Sequence, residues 1–340
     1  MNISNKIFKT VIIGFGKLGL LHLSQFYAHP NVEVVGICEN EKTMNKVLKK
    51  NFKNLKIYND YKDLVKLEID FVTVCTPTGA HFEIIKFFLE NNIAVFSEKP
   101  LSSNYSEANE LQNLSKKRNT LLFVGYMYEF YETFQKAYDL VINKKILGDI
   151  IYSKGEMYVS QILKKPNNTN WRFIKKKSGG GVLITQTSHL IYIMQKFFGQ
   201  HEKCYGFCKS IFSEENEDYA HLVIRTQNGV ICNIDASWSV INYRVPELKF
   251  FIEGTNGSIL INEDKIEMNL KNSFESFNSG KNIISKMELF KNSYFNVAGN
   301  HYARQTDFFV SLISSGIKYH INLDYSVNVN KIIEEVYNNG

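Results

Sequence analysis

The sequence predicts two domains of different class: a doubly wound parallel α/β sheet over residues 1–125 and an α+β domain over residues 126–340. Three observations carry this. Short apolar runs alternate with helical patterns of about ten residues as far as Val124, which is how βαβ units and a parallel sheet read in sequence. A G-x-G-x-x-G loop joins the first apolar run to the first helix. Beyond Tyr126 several strand-like runs follow one another without intervening helices, and Asn-Gly turns between them mark hairpins, so the second sheet is mostly antiparallel.

In order, Thr10–Ile13 is the first strand and Lys17–Tyr27 the first helix, with Leu18, Leu21, Leu23 and Phe26 on its apolar positions. His29-Pro30-Asn31 stops that helix. Val32–Cys38, Ile57–Tyr58, Phe71–Cys75, Ile93–Phe96 and Leu121–Val124 complete six strands. Helices fall at Glu41–Lys50, His81–Asn91 and Ser106–Lys117, the last with Ser102 or Ser103 as its cap. Continuously apolar strands fit a sheet covered on both faces. The second part starts with a helix at Glu132–Asn143 and a strand from Ile150. A glycine cluster and helix follow over Gly179–Phe198. Strands at Ala220–Thr226, Val230–Trp238, Leu248–Glu253 and Ser258–Ile261 are joined partly through Asn228-Gly229 and Asn256-Gly257. Helices around Ala303–Ser314 and Tyr325–Tyr337 end the pattern.

Length and composition agree with two folded domains, since 340 residues divide at roughly 150 per domain. With 44% hydrophobic and 22% charged residues, global disorder is excluded. The net charge of +6 is mild, and runs such as Lys175-Lys176-Lys177 are short and not interleaved with aromatics, so no nucleic-acid partner is expected. No stretch approaches the ~18 apolar residues of a membrane helix, and Met1–Lys6 lacks the apolar core of a secretory signal. The five cysteines, Cys38, Cys75, Cys204, Cys208 and Cys232, are odd in number and form no C-x-x-C pair; they read as reduced thiols in a cytoplasmic protein. His81, His189, His201 and His221 lack metal-ligand spacing, so no metal is expected.

Gly14-Phe15-Gly16-Lys17-Leu18-Gly19 sits between a strand and a helix, the context in which this pattern is informative. The first glycine permits the tight turn, the second lets a pyrophosphate approach the backbone, and the third lets the helix pack on the strand. Glu39 ends the second strand, 20 residues after Gly19. A carboxylate there accepts both adenosine ribose hydroxyls and repels a 2′-phosphate, which favours NAD over NADP. The loops after the fourth and fifth strands face the same crevice. They supply Thr76, Pro77 and His81, then Glu98 and Lys99, as further cofactor-binding candidates. His81 has two readings, a first-turn helix residue, which we favour, or a cofactor contact. A lysine beside a nicotinamide can hold a substrate oxygen or move its proton.

These motifs resemble those of the Gfo/Idh/MocA oxidoreductases, named for glucose–fructose oxidoreductase and inositol dehydrogenase. The resemblance rests on the glycine loop with His22 three residues beyond it, the P-T-x-x-x-H loop, and Glu98-Lys99-Pro100. It continues through Trp171-Arg172, Gly179-Gly180-Gly181-Val182-Leu183, His189 and Gly254-Thr255-Asn256-Gly257-Ser258. It implies a Rossmann domain, then a domain with a large open sheet that often forms a homodimer or homotetramer interface. It implies hydride transfer between NAD, less readily NADP, and a sugar carbinol or ketone. Lys99 matches the family's catalytic lysine and His189 its catalytic histidine, with Lys99 bonding the oxygen and His189 accepting the proton. Tyr126, Trp171, Arg172, Thr185 and Gln186 join Lys99 and His189 as expected substrate contacts, and the Lys99–Pro100 bond is expected to be cis.

Three positions depart from the family pattern. Thr185 stands where an aspartate is frequent, one helical turn before His189. Glu129 stands where an arginine is frequent, and pairing with a nearby lysine is the favoured reading. Tyr192 replaces a frequent aspartate. The change at Thr185 tilts the expectation toward a nucleotide-linked sugar. Two alternatives are a redox-neutral glycosidase that retains NAD and a non-catalytic sensor of NAD(H) or a metabolite.

Overall fold

The computed structural model describes residues 6–165, 171–290, 295 and 299–339. The reading of Met1–Lys6 as lacking a secretory signal falls, except for Lys6, outside them. The strands are β1 (Phe8–Ile13), β2 (Val32–Cys38), β3 (Lys56–Tyr58), β4 (Phe71–Val74), β5 (Ala94–Ser97), β6 (Leu122–Val124) and β7 (Ile150–Tyr158). They continue as β8 (His201–Lys209), β9 (Tyr219–Thr226), β10 (Ile231–Ser237), β11 (Glu247–Gly254), β12 (Gly257–Ile261), β13 (Lys265–Leu270) and β14 (Gly280–Ser285). The helices are α1 (Lys17–Ala28), α2 (Lys42–Asn51), α3 (His81–Glu90), α4 (Tyr105–Arg118) and α5 (Glu132–Tyr138). After them come α6 (Lys175–Ser178), α7 (Ser188–Phe198), α8 (Lys286–Leu289), α9 (Asn300–Ser314) and α10 (Asn322–Asn339). No helix among the described residues is long and apolar enough to cross a membrane.

Contacts divide the chain into residues 1–125 with 292–327, and residues 126–291 with 328–340. The first unit holds a six-stranded sheet ordered β3-β2-β1-β4-β5-β6, parallel throughout. β4 is buried at all four positions, as a strand covered on both faces should be. The cap of α4 is Asn104, not Ser102 or Ser103: its side chain accepts from the Glu107 amide at 2.9 Å. Asn104 is extended, as a capping residue must be, and leaves α4 to start at Tyr105.

α9 packs with this first unit although sequence order put it in the second domain. The cause is one phenylalanine. The Phe309 ring lies 5.0 Å from Phe71, 5.2 Å from Phe96, 5.7 Å from Phe123 and 6.4 Å from Phe26, centre to centre. All five are buried. Asn322 then closes the sheet edge at β6 by exchanging two hydrogen bonds with the Val124 backbone, at 2.9 and 3.0 Å. Its side-chain amide does there what a neighbouring strand would do.

The second unit holds an eight-stranded sheet ordered β14-β13-β12-β11-β7-β10-β9-β8. Only β7 and β10 pair in parallel; the other pairs are antiparallel. The Asn228-Gly229 turn joins β9 to β10 with Gly229 at φ +83°, and Asn256 sits in the turn between β11 and β12. The helix expected over Gly179–Phe198 starts after the three glycines and runs unbroken from Val182 to Phe198, with a π turn in its first part. Lys175–Ser178 is a single turn ended by Gly179 at φ +81°, a π turn spans Leu183–Thr187, and α7 follows.

The start of this helix is held by Glu217. Its Oε1 accepts from the amides of Gly181 (3.0 Å) and Leu183 (2.9 Å) and from the Tyr337 hydroxyl (2.8 Å), while its carbonyl accepts from Val182 N–H at 2.9 Å. A Cβ on Gly181 would lie 2.1 Å from the Glu217 carbonyl oxygen and 2.6 Å from its nitrogen. Only glycine fits beside that backbone.

Two outcomes follow. Phe309→Ala should cost about 3–5 kcal/mol of stability by leaving a cavity among four rings, read by chemical denaturation. Gly181→Ala should cost about 1–3 kcal/mol by overpacking against Glu217, read as a lower thermal midpoint.

Candidate active site

The first unit carries the predicted nucleotide-binding residues. Gly14 turns the chain at φ +85°, and a Cβ there would meet Thr76 atoms at 2.9 Å. A Cβ on Gly19 would fall 2.1 Å from the Gly14 carbonyl oxygen, so α1 rests directly on the end of β1. Gly16 differs: a Cβ there meets nothing within 4 Å. Gly16 is exposed at the N-terminus of α1, with Lys17 exposed and Leu18 half-buried behind it. The open space lies where helix N–H groups and the positive dipole end face outward, and the N-cap, Gly16, has no side chain to cap them. This cradle fits a dinucleotide pyrophosphate. Phe15 is buried edge-on against Phe52 and gives its amide to Glu39 Oε2 at 2.8 Å. Glu39 Oε1 accepts from the Glu41 amide at 2.9 Å. The carboxylate is thereby fixed beside the loop, with lone pairs remaining for ribose hydroxyls.

Thr76 and Pro77 are half-buried in the loop after β4. His81 is buried, and its ring nitrogens lie 2.9 Å from the carbonyls of Pro100 (Nδ1) and Thr76 (Nε2). Burial pulls its pKa below the ordinary histidine value. With both nitrogens engaged by backbone, the ring holds the Thr76 loop against the Pro100 turn instead of offering itself to a cofactor.

Glu98 is likewise internal. Its Oε1 lies 2.7 Å from His22 Nε2, and its Oε2 accepts from the Lys99 amide at 3.2 Å. Burial alone would raise this carboxyl, but the His22 bond and charge, with Lys99 beside it, hold it below the ordinary carboxylate range. The acid of Glu98-Lys99-Pro100 therefore anchors the turn to α1. Lys99, half-buried, follows it directly, and the Lys99–Pro100 bond is cis.

The second unit carries the remaining candidates. His189 is buried in the first turn of α7, edge-on to Tyr128 at 5.0 Å and to Tyr126 at 5.9 Å. Thr185 and Gln186 are half-buried in the preceding π turn. The Thr185 hydroxyl donates to the Gly181 carbonyl at 2.7 Å, so its proton goes to the helix. Arg172 is half-buried, with its guanidinium 4.6 Å from the Trp171 ring centre. Burial lowers its pKa, yet a guanidinium stays charged in any case.

The departures at Glu129 and Tyr192 meet in one contact. Tyr192 donates to Glu129 Oε2 at 2.6 Å, Lys196 pairs with Oε1, and the Tyr192 ring stacks on Tyr126 at 4.1 Å. The expected lysine partner of Glu129 is thus Lys196, one turn of α7 beyond Tyr192. Sequence reasoning missed Tyr128, His22 as the partner of Glu98, and Glu217. The i+3 spacing of His22 from Gly19 was a usable signal; nothing local to Tyr128 or Glu217 was.

Residues 8–126 match the model for the GFO_IDH_MocA oxidoreductase family, NAD-binding Rossmann fold, and residues 134–260 match the GFO/IDH/MocA C-terminal domain. The chain is 24% identical over 270 residues to D-glucoside 3-dehydrogenase of Escherichia coli K12, covering 77% of this chain and 71% of that one. It is 25% identical over 234 residues to myo-inositol 2-dehydrogenase of Thermotoga maritima, covering 66% and 67%. The solved structure of levoglucosan dehydrogenase with NADH and levoglucosan superposes with a TM-score of 0.87 at 18% identity, covering 98% of this chain and 97% of that one, which shows a shared fold. With both halves matched and the glycine cradle in place, the chain belongs to the GFO/IDH/MocA oxidoreductases and carries their NAD-binding domain.

Proposed function

We propose that this protein is an NAD-dependent dehydrogenase that oxidises a secondary carbinol of a sugar, glycoside or cyclitol, or reduces the matching ketone. The observation that carries the reading is the Lys99 turn, pinned by buried Glu98 to His22 in the same unit that carries the open Gly16 cradle. Bound NAD supplies the hydride acceptor. Gly14, Phe15, Gly16, Lys17 and Leu18 form the pyrophosphate turn, and Glu39 takes the ribose. Thr76 and Pro77 line the neighbouring loop, while His81 and Glu98 order the backbone around Lys99. Lys99 holds the carbinol oxygen, and His189 accepts its proton. Tyr126, Trp171, Arg172, Thr185 and Gln186 orient the remaining hydroxyls. The relatives named as D-glucoside and inositol dehydrogenases support this substrate class.

A nucleotide-linked sugar is the second reading. It is favoured by the exposed Lys175, Lys176 and Lys177 close in sequence to Arg172, which would attract a diphosphate. The five cysteines are free thiols, in keeping with a reducing cytoplasm. Assembly through the second sheet is proposed as well. Tyr205, Phe207, Ile231 and Tyr152 lie on one face of it by strand register, each at least partly exposed. These exposed apolar side chains share the face with charged residues such as Arg225, Asp235, Lys154 and Glu156, a mixed surface that suits a second copy.

Three measurements test these points. NAD reduction should be followed by absorbance with sugars, glycosides, inositols and nucleotide sugars. Lys99→Met should lose roughly 10²–10⁴-fold in rate while still binding NAD. Sugar release without net NADH would instead support a redox-neutral glycosidase, and tight NAD binding with neither reaction would support a sensor. Glu39→Ala should weaken NAD and narrow its preference over NADP, read by titration with both nucleotides. Light scattering should give the mass of a dimer or tetramer; a monomer at high concentration would sink the sheet interface.

A further inference from the structure

The geometry points to a divalent-metal site of zinc type in the second unit, formed by His201, Cys204 and Glu335. The ligand atoms of all three lie within 4.8 Å of one another, and His201 and Cys204 are buried. His201 Nε2 is 3.2 Å from each Glu335 oxygen, and Cys204 Sγ is 3.2 Å from Oε2. Tetrahedral zinc with nitrogen, sulfur and oxygen ligands at ~2.0–2.3 Å sets those ligand atoms roughly 3.3–3.6 Å apart. Both contacts to Glu335 are therefore already close to coordination distance, and the third pair lies within 4.8 Å.

The backbone is shaped for this. On a regular strand, positions three apart face opposite sides of the sheet. In β8 the register with β9 slips: His201 pairs with Thr226, but Lys203 pairs with Arg225 and Cys204 with Ile224. The bulge turns His201 and Cys204 to the same face, whereas Glu202, Lys203 and Tyr205 stay exposed. α10 then brings Glu335 onto that face, from 131 residues beyond Cys204, which is why no spacing in the sequence signalled the site.

The donor set selects the metal. A thiolate with an imidazole and one carboxylate suits Zn²⁺ and disfavours Mg²⁺ or Ca²⁺, which require several oxygen ligands. Three protein ligands leave a fourth position for water, and Glu335, one-third exposed, leaves the entry open. The charged group facing the set is Lys331, 3.9 Å from Glu335. In the metal-free arrangement Glu335 takes both the thiol and the imidazole N–H, and His201 Nδ1 is buried without a hydrogen-bond partner. The site is separate from the proposed catalytic histidine: α7 starts at Ser188 beside His189 and ends at Phe198, before His201. Its role is to clamp the edge strand β8 to the last helix.

The test uses the full chain, reduced, stripped with a chelator and dialysed against ZnCl₂. One zinc per chain is expected, together with a higher thermal midpoint. Cys204→Ser and Glu335→Gln should each abolish stoichiometric binding, whereas Cys208→Ser, a nearby exposed thiol, should retain it. Co²⁺ should give thiolate-to-cobalt charge-transfer absorption in the unaltered protein and in Cys208→Ser. Should Cys204→Ser fail to fold, the cobalt spectra of the unaltered protein, Cys208→Ser and Glu335→Gln decide alone. Substoichiometric zinc, a cobalt spectrum without thiolate character, or binding that survives in Glu335→Gln would overturn the site.

Discussion

The nucleotide-binding half depends on a contact between two backbones. Gly19 leaves no room for a side chain because the Gly14 carbonyl oxygen occupies the place where its Cβ would be. That contact seats α1 on the end of β1 and aims the helix N-terminus outward. The rest of the cradle is referenced to it. Phe15, between the two glycines, gives its amide to Glu39, so the acid at the end of β2 is aligned with the same turn. Gly14 in turn approaches Thr76, which registers the loop after β4. Four chain segments thus share one origin, and the open space at Gly16 is what their convergence leaves.

A second layer is electrostatic. Glu98 is buried, and it would be costly there without partners. His22 from α1 and the amide of Lys99 supply them. The same helix that presents its N-terminus at Gly16 therefore fixes the turn bearing Lys99. The two backbone carbonyls around His81 hold the neighbouring loop by a parallel device. These are short-range interactions within a single unit, so the nucleotide turn and the lysine keep a defined relation.

Much of the first sheet was legible because its signals are local. Strands and helices alternated with the expected periods, and the glycine loop stood between them. The placement of α9 was not legible, since it turns on Phe309 meeting four phenylalanines from distant segments. In the second unit β8 escaped notice because its buried positions are His201, Cys204 and Gly206, which break the alternation a strand usually shows. β13 and β14 were missed as well, their turns lacking Asn-Gly. The helix after the triple glycine was legible, but the carboxylate that holds its first amides, Glu217, lies on the far side of β8 in sequence. The candidate residues themselves were visible as motifs. Their partners were not, because hydrogen-bond partners are chosen by the fold.

The contact among Glu129, Tyr192 and Lys196 bears on how this chain could have diverged from its family. The two positions that the resemblance marks as departures touch each other, so a change at one is felt at the other. Restoring an arginine at 129 alone would set it against Lys196 and remove the carboxylate that Tyr192 donates to. Restoring an aspartate at 192 alone would put two carboxylates in one buried space. Each half-step would cost about 1–3 kcal/mol. The stack of Tyr192 on Tyr126 adds a further tie, so the candidate substrate contact at 126 inherits any change made at 129 or 192.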